Sequence, residues 1–301
     1  MERSVLTVRF SVLYPKSYEG SPRESAQAPD FFPDLNLDQV VDTMAAGKEE
    51  YSLKPLFYAY PRDPDTITYR HAVFRDPEDP KLFATMKSFE RRMRSVREHL
   101  VQANKRQYEL QREPWFLEAV ELYCEGVADF GESLNGLDIK SDGQRELRKY
   151  LAEYVSSEAF KRLRGETKNL GADLSILRYC VLINGNGFTV RKYEGEIDYS
   201  AEVEDTFDRF KQGEVNNFLI KIPDWPDMNH IEAKILEFLS LLFPEVFTRL
   251  ADFCAKNAEF MDAAITDFDR EIQFYVAYLE HIRTIKRVGL GLLLPEHRRE
   301  G

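Results

Sequence analysis

Apolar residues recur every three or four positions through most of the chain, which is the spacing of one face of an α-helix. One such stripe lies within residues 81–113, which contain no Gly or Pro, and it predicts a single helix of about 45 Å. Pro114, just after it, predicts a bend or the start of a new helix. A second stripe covers residues 245–286, again without Gly or Pro. Stripes of this length are typical of core packing, and they predict paired long helices that form a lever or stalk.

Shorter helices have recognisable ends. One is predicted to begin at an N-cap formed by Asp34 or Asn36 and to end at Gly47. Asp and Asn side chains accept hydrogen bonds from the first turn of a helix, and Gly adopts the left-handed conformation that follows the last turn. Another helix is predicted to begin at Ser141 or Asp142 for the same reason.

Residues 178–222 interrupt this helical pattern. On either side of residues 184–187, which read Asn-Gly-Asn-Gly, apolar residues alternate with period two, as in strands. Asn and Gly supply the positive φ angles of a hairpin turn, so these residues are predicted to form a turn rather than a phosphate-binding loop. A short helix over 199–211 and a strand over 216–222 are predicted to complete a small module. A further strand is predicted over residues 5–14.

The turn determines which residues of the predicted hairpin lie opposite each other. With residues 184–187 as the loop, Val181 lies opposite Val190 and Tyr179 lies opposite Lys192. Side chains alternate between the two faces of a strand. The apolar face carries Tyr179, Val181, Ile183, Phe188 and Val190, and the mixed face carries Arg178, Cys180, Leu182, Thr189, Arg191 and Tyr193.

Composition indicates a folded, non-membrane protein. The 301 residues are 43% hydrophobic and 31% charged, an ordinary globular mixture. No apolar run approaches the roughly 20 residues that span a bilayer, and the charged start "MERSVLTVRF" does not resemble a signal peptide. The three cysteines are odd in number and widely spaced, so reduced thiols are expected. These features predict a cytoplasmic location.

Charge is unevenly distributed. The net charge of −11 argues against a surface that binds nucleic acid everywhere. Residues 81–112 nevertheless contain nine Lys or Arg and three Asp or Glu, whereas residues 194–232 contain eleven acids and three bases. A basic run on a helix is more often a solvated face than a binding site, and that interpretation is favoured for 81–112.

The motifs of common catalytic sites do not occur in the sequence. There is no P-loop string, no dinucleotide-binding G-x-G-x-x-G and no nucleophile elbow. The five histidines are isolated and no Cys-x-x-Cys is present, so no metal site is expected. The sequence predicts that this chain is not an enzyme.

Six stretches are similar, in order and spacing, to segments of one known family. They read "DFFPDLNLDQVVD", "ITYRHAVFRDPED", "RRMRSVREHLVQANKRQYELQREPWFLEAVELYC", "DYSAEVEDTFDRFKQG", "MNHIEAKIL" and "FDREIQFYVAYLEHI". Through them the chain resembles the MutS-related DNA mismatch repair proteins over about residues 14–295, and more narrowly the core, lever and clamp region of bacterial MutS-type ATPases. The Gly-x-Phe-x-Glu element with which MutS proteins read mismatches does not occur, so mismatch reading is not expected.

The resemblance implies a mainly α fold, in which long lever-like helices belong to a helical core and a small β-hairpin-containing clamp module is inserted between them. The corresponding domains are an N-terminal strand, loop and short helix at 1–52, a helical core with outgoing lever helices at 53–177, the clamp-like α+β module at 178–224, and returning helices at 225–301. It also implies an ATPase domain beyond residue 301. ATP and Mg²⁺ are therefore expected only with that missing domain, and no cofactor is expected in this chain.

The resemblance further implies contact with the backbone of duplex or branched DNA and a homodimer in the full-length protein. Phosphate contacts are made by Lys and Arg, so Arg178, Arg191, Lys192 and Lys221 are the predicted DNA-binding residues. The alternative is a helical dimerisation or protein-interaction scaffold without DNA contact, in which aromatic helices such as "FDREIQFYVAYLEHI" form the interface. Intramolecular core packing of those aromatics is the favoured interpretation.

Overall fold

The chain folds mainly into α-helices with one small β-hairpin, as the sequence predicted. The computed structural model describes residues 10–18, 23–106, 108–184, 187–195 and 230–287. The helices in these ranges are α1 (Phe31–Asp34), α2 (Leu37–Ala45), α3 (Lys54–Tyr58), α4 (Pro64–Arg75), α5 (Pro80–Lys105), α6 (Glu109–Asn135), α7 (Asp142–Ser156), α8 (Glu158–Ser175), α9 (His230–Leu242), α10 (Pro244–Lys256) and α11 (Ala263–Arg287). Short 3₁₀ helices occupy Glu49–Tyr51 and Asp76–Glu78, and the two strands are β1 (Tyr179–Asn184) and β2 (Gly187–Lys192).

The described residues form two compact units. Unit 1 contains those within 1–96, 122–163 and 259–301. Unit 2 contains those within 97–121 and 164–258. The four-part division at 1–52, 53–177, 178–224 and 225–301, with its lever and clamp, stays a prediction. The helix predicted at 199–211 and the strand at 216–222 lie outside the described residues.

The single helix predicted over 81–113 is wrong, because α5 ends at Lys105 and α6 begins at Glu109. The Arg106 N–H bonds to the Ala103 carbonyl at 3.1 Å, an i to i−3 contact that closes the last turn. Pro114 lies inside α6 rather than at its start. The absence of Gly and Pro therefore did not prevent a helix end.

The second long helix, predicted over 245–286, is also interrupted. α10 ends at Lys256 and α11 begins at Ala263. The Asn257 side chain donates to the Phe253 carbonyl at 2.9 Å, while the Asp262 carboxylate accepts from the Ile265 N–H at 3.1 Å. Capping side chains at both ends stabilise two helices in place of one.

The strand predicted over 5–14 is wrong for residues 10–14, which have irregular backbone, and residues 5–9 lie outside the described part. The Ser11 hydroxyl accepts from the Leu13 and Tyr14 N–H groups at 3.2 and 3.1 Å. The Val12 N–H donates to the Glu271 carboxylate at 2.8 Å. Side chains thus bind the backbone groups that a strand would pair with another strand.

Two predicted helix starts are confirmed. Ser141 is the N-cap of α7, and its side chain accepts from the Gln144 N–H. Asn36 precedes α2 with φ of 53°, although its side chain makes no cap bond. Gly47, which was predicted to end that helix, has φ of 73°, a conformation that Gly adopts without steric cost.

The core of unit 1 is aromatic. Phe268 of α11 stacks on Phe130 of α6 with ring centroids 5.7 Å apart, and Phe130 stacks on Phe89 of α5 at 4.3 Å. Phe268 and Tyr275, both within the stretch "FDREIQFYVAYLEHI", are buried in this unit, in agreement with the core interpretation of those aromatics. No helix among the described residues is long and apolar enough to cross a membrane.

Candidate nucleic-acid interface

The predicted hairpin and its register are confirmed. β1 and β2 pair antiparallel, with Val181 opposite Val190 and Asn184 opposite Gly187. The two residues between that last pair, 185–186, lie outside the described part of the chain. A connection of this length with Asn and Gly is the commonest type of tight hairpin turn.

Within unit 2, the apolar face of the hairpin packs against helix α9 through strand β2. Phe188 contacts Phe238 of α9 edge to face, with ring centroids 6.2 Å apart. The Lys192 ammonium lies 5.1 Å from the centre of the Phe243 ring, at the end of the same helix, in cation–π contact. The sequence analysis did not identify Phe238 and Phe243 as supports of the hairpin. Their only signal was the apolar pattern of α9.

Most side chains of the mixed face are exposed to solvent, and Ile183 of the apolar face is exposed as well, at 82%. Arg178 and Arg191 are exposed, and Tyr193 and Leu182 retain 41% and 44% of their accessible surface. The Tyr193 N–H bonds to the Arg178 carbonyl at 3.3 Å, so the pairing continues one residue beyond the strands. Arg178 and Arg191 are therefore diagonal neighbours on one face of the hairpin. Residues in this relationship lie about 7–8 Å apart where their side chains leave the backbone.

The structure brings two of the four predicted DNA-binding residues together and separates a third. Arg178 and Arg191 lie on the mixed face, while Lys192 lies on the side that carries Phe188 and reaches Phe243. Lys221 lies outside the described residues. The role of all four in DNA binding stays a prediction.

The basic run at 81–112 includes cations engaged by acids of unit 1. Lys87 lies 2.9 Å from Glu280, and Arg92 lies 3.6 and 3.7 Å from Glu125 and Asp129. Surface ion pairs of this kind contribute little to stability, but each one places an acidic group beside the basic side chain.

The three cysteines, all within the described residues, remain thiols. Cys124 is buried, and Cys180 and Cys254 are half-buried. Burial raises the pKa of Cys254 to about 12, so this thiol is protonated at neutral pH and is a poor nucleophile.

Among the described residues, no group of three or more His, Cys, Asp or Glu side chains could hold a metal ion. No family model matches the chain, and neither a curated protein nor a solved structure matches it.

Proposed function

We propose that this chain is a non-catalytic helical protein whose β1–β2 hairpin contacts the backbone of duplex or branched DNA. The observation that carries the proposal is the placement of Arg178 and Arg191 as exposed diagonal neighbours on the mixed face. Guanidinium groups bind phosphate oxygens with two parallel N–H bonds. Such contacts position a protein on a nucleic acid without reading its sequence.

Three further features support this hairpin as the contact surface. Its opposite face is anchored on α9 through Phe188 and Phe238, so the arginines are presented from a supported element. The exposed Tyr193 ring lies beside them, where an aromatic side chain can contact sugar or an unpaired base. The net charge of −11 restricts binding to a local site. The coupling to an ATPase domain stays a prediction of the MutS resemblance.

The experiment is a salt titration of fluorescently labelled duplex and branched DNA, followed by anisotropy. We expect measurable binding at about 50 mM salt and a linear fall in log K with log salt concentration. Replacement of both Arg178 and Arg191 by Ala should weaken binding and make that slope shallower by about 2. Lys192→Ala should have a smaller effect, because its ammonium lies against Phe243.

The matched control is Lys161→Ala with Arg162→Ala. Both residues are exposed on α8, and the double replacement removes the same charge as the hairpin variant. An equal loss of affinity in this control would assign the binding to overall charge. The absence of binding by the unmodified chain at about 50 mM salt would refute the proposal.

A second candidate function, a protein-interaction scaffold, is favoured by exposed apolar side chains in unit 2. Ile176, Ile183 and Leu241 retain 71%, 82% and 71% of their accessible surface. Large apolar side chains left exposed to solvent can belong to an interaction site. Size-exclusion chromatography with light scattering tests self-association, and a monomer at all concentrations would argue against the homodimer.

A further inference from the structure

Unit 1 contains a cavity of about 260 Å³ between α4 and α11. This volume is slightly below the lower end, roughly 300 Å³, of typical small-molecule sites. Ile67, Arg70 and Phe74 line it from α4, and Phe274 and Tyr278 line it from α11. The sequence analysis did not single out any of these residues. One sequence feature could have indicated the cavity. It is the arginine within the apolar stripe of α4, three residues after Ile67 and four before Phe74.

The walls of the cavity are aromatic and held in position by their neighbours. Phe74 contacts Tyr278 edge to face, with ring centroids 4.7 Å apart. Phe274 stacks on Phe57 at 4.5 Å. Phe74, Phe274 and Tyr278 are each only half-buried, so one edge of this aromatic surface reaches solvent.

Arg70 is the cation of the cavity, and it is 9% exposed. Its Nε donates to the Leu13 carbonyl at 2.9 Å. Its Nη2 is fully buried and has no hydrogen-bond partner. The guanidinium lies 4.6 Å from the Tyr14 ring centre and 5.4 Å from that of Phe274. Within the described part of the chain, no carboxylate forms an ion pair with Arg70.

A buried cation without a paired carboxylate is costly, and the two aromatic contacts and the more distant Asp63 carboxylate offset only part of that cost. A carboxylate complements the charge of a guanidinium and accepts its N–H bonds. Because Nε is bonded to Leu13 and Nη2 has no accessible surface, Nη1 is the nitrogen of Arg70 that remains for a ligand. The remaining surface of the cavity suits an apolar or aromatic body, because small-molecule sites combine apolar walls with a few polar groups.

We propose that this cavity binds a small monocarboxylate with an aromatic or apolar body. The carboxylate pairs with Arg70, and the body packs against Phe74, Phe274 and Tyr278. This site is separate from the hairpin and does not depend on the proposed DNA contact.

The test is calorimetric titration of the full 301-residue chain with phenylacetate, benzoate and hexanoate, and with phenylacetamide as the uncharged isostere of the first. We expect saturable binding of at least one carboxylate. We also expect phenylacetate to bind at least about tenfold more tightly than phenylacetamide, the ratio that one charge-assisted hydrogen-bonded contact provides.

Two variants and one control locate the site. Arg70→Met keeps the length of the side chain and should abolish the preference for phenylacetate. Ile67→Trp leaves Arg70 in place, fills the cavity and should weaken all ligands at least about tenfold. Arg62→Met, an exposed change outside the cavity, should bind like the unmodified chain.

Three results would overturn the proposal. They are failure of all three carboxylates to bind, equal affinity for phenylacetate and phenylacetamide, and unchanged binding by Ile67→Trp. The last result decides the matter even when circular dichroism shows that Arg70→Met does not fold.

Discussion

Lys48 is the one buried lysine among the described residues, with 6% of its surface exposed. Its ammonium lies 2.8 Å from the Glu90 carboxylate and 2.9 Å from the Gln273 side-chain oxygen. Lys87 pairs with the same Glu90 at 2.5 Å. Burial favours the neutral form of Glu90, but the Lys48 and Lys87 hydrogen bonds outweigh it and lower the pKa of this carboxyl. The buried charge on Glu90 thus depends on its lysine partners.

We expect Lys48→Met to lower the free energy of unfolding by about 3 kcal/mol, because one partner of a buried ion pair is lost while the other remains buried. Lys87 still pairs with Glu90 in this variant. We therefore expect a loss near the lower end of the roughly 3–5 kcal/mol that breaking a buried ion pair costs. Urea unfolding followed by circular dichroism measures the change. Lys54→Met is the control, since Lys54 and its partner Asp42 are both half exposed. Equal effects of the two substitutions would contradict the importance of burial.

Glu271 is a half-buried carboxyl whose pKa is shifted in the opposite direction. Burial raises its pKa above the ordinary value of 4.5, although hydrogen bonds from Ser11 and Val12 lower it in part. A carboxyl with a raised pKa binds its proton more tightly in the folded state. Its contribution is present at low pH and is lost as pH rises through the folded pKa.

We therefore expect Glu271→Gln to gain stability relative to the unmodified chain as pH rises above about 4.5. The variant keeps an amide oxygen that accepts from the Val12 N–H. Glu90→Gln provides the matched comparison with the reverse sign. The contribution of the Glu90 carboxylate is present above its unfolded pKa and is lost as pH falls through its lowered folded pKa. Thermal unfolding of all three proteins between about pH 2 and 8 covers both transitions, and parallel curves would contradict this assignment of the two carboxyls.

Helix ends explain where sequence-based prediction of the elements failed. The apolar stripe continues from α10 into α11, so periodicity alone favoured one helix over 245–286. Asp262 fixes the start of α11 and also contacts residues that are distant in sequence. Its N–H donates to the Tyr123 hydroxyl at 2.9 Å, and its carboxylate accepts from the Tyr150 hydroxyl at 2.8 Å. Such partners 112 and 139 residues away leave no local signal. The Asp262 cap of the Ile265 N–H is itself local, as is the Ser141 cap, which was predicted.

We expect Asp262→Ala to cost about 2–3 kcal/mol, because it removes both a helix N-cap and the acceptor of the Tyr150 hydroxyl. Asp63→Ala is the matched control. Asp63 caps α4 through the Thr66 N–H at 2.7 Å and should cost only about 1 kcal/mol. Chemical denaturation of both variants gives the difference. Equal losses would indicate that the tyrosine contact contributes nothing.

For the molecule as a whole, the helical class and the hairpin were predictable because each rests on short-range patterns. The register followed from the Asn-Gly loop, and the alternation of side chains placed Arg178 and Arg191 on one face. The packing of the other face on Phe238 was not predictable, because it joins segments about 50 residues apart that share no local pattern. The cavity at Arg70 was hidden for the same reason, since α4 and α11 are separated by most of the chain.

The contact between residues 10–14 and α11 has a consequence for biosynthesis. The Ser11 hydroxyl donates to a carboxylate 260 residues further along the chain, and Val12 and Leu13 are fully buried once that contact forms. A ribosome adds roughly 5–20 residues per second, so this segment emerges on the order of 10–50 s before its acceptor. During translation, then, its apolar side chains are exposed in the nascent polypeptide.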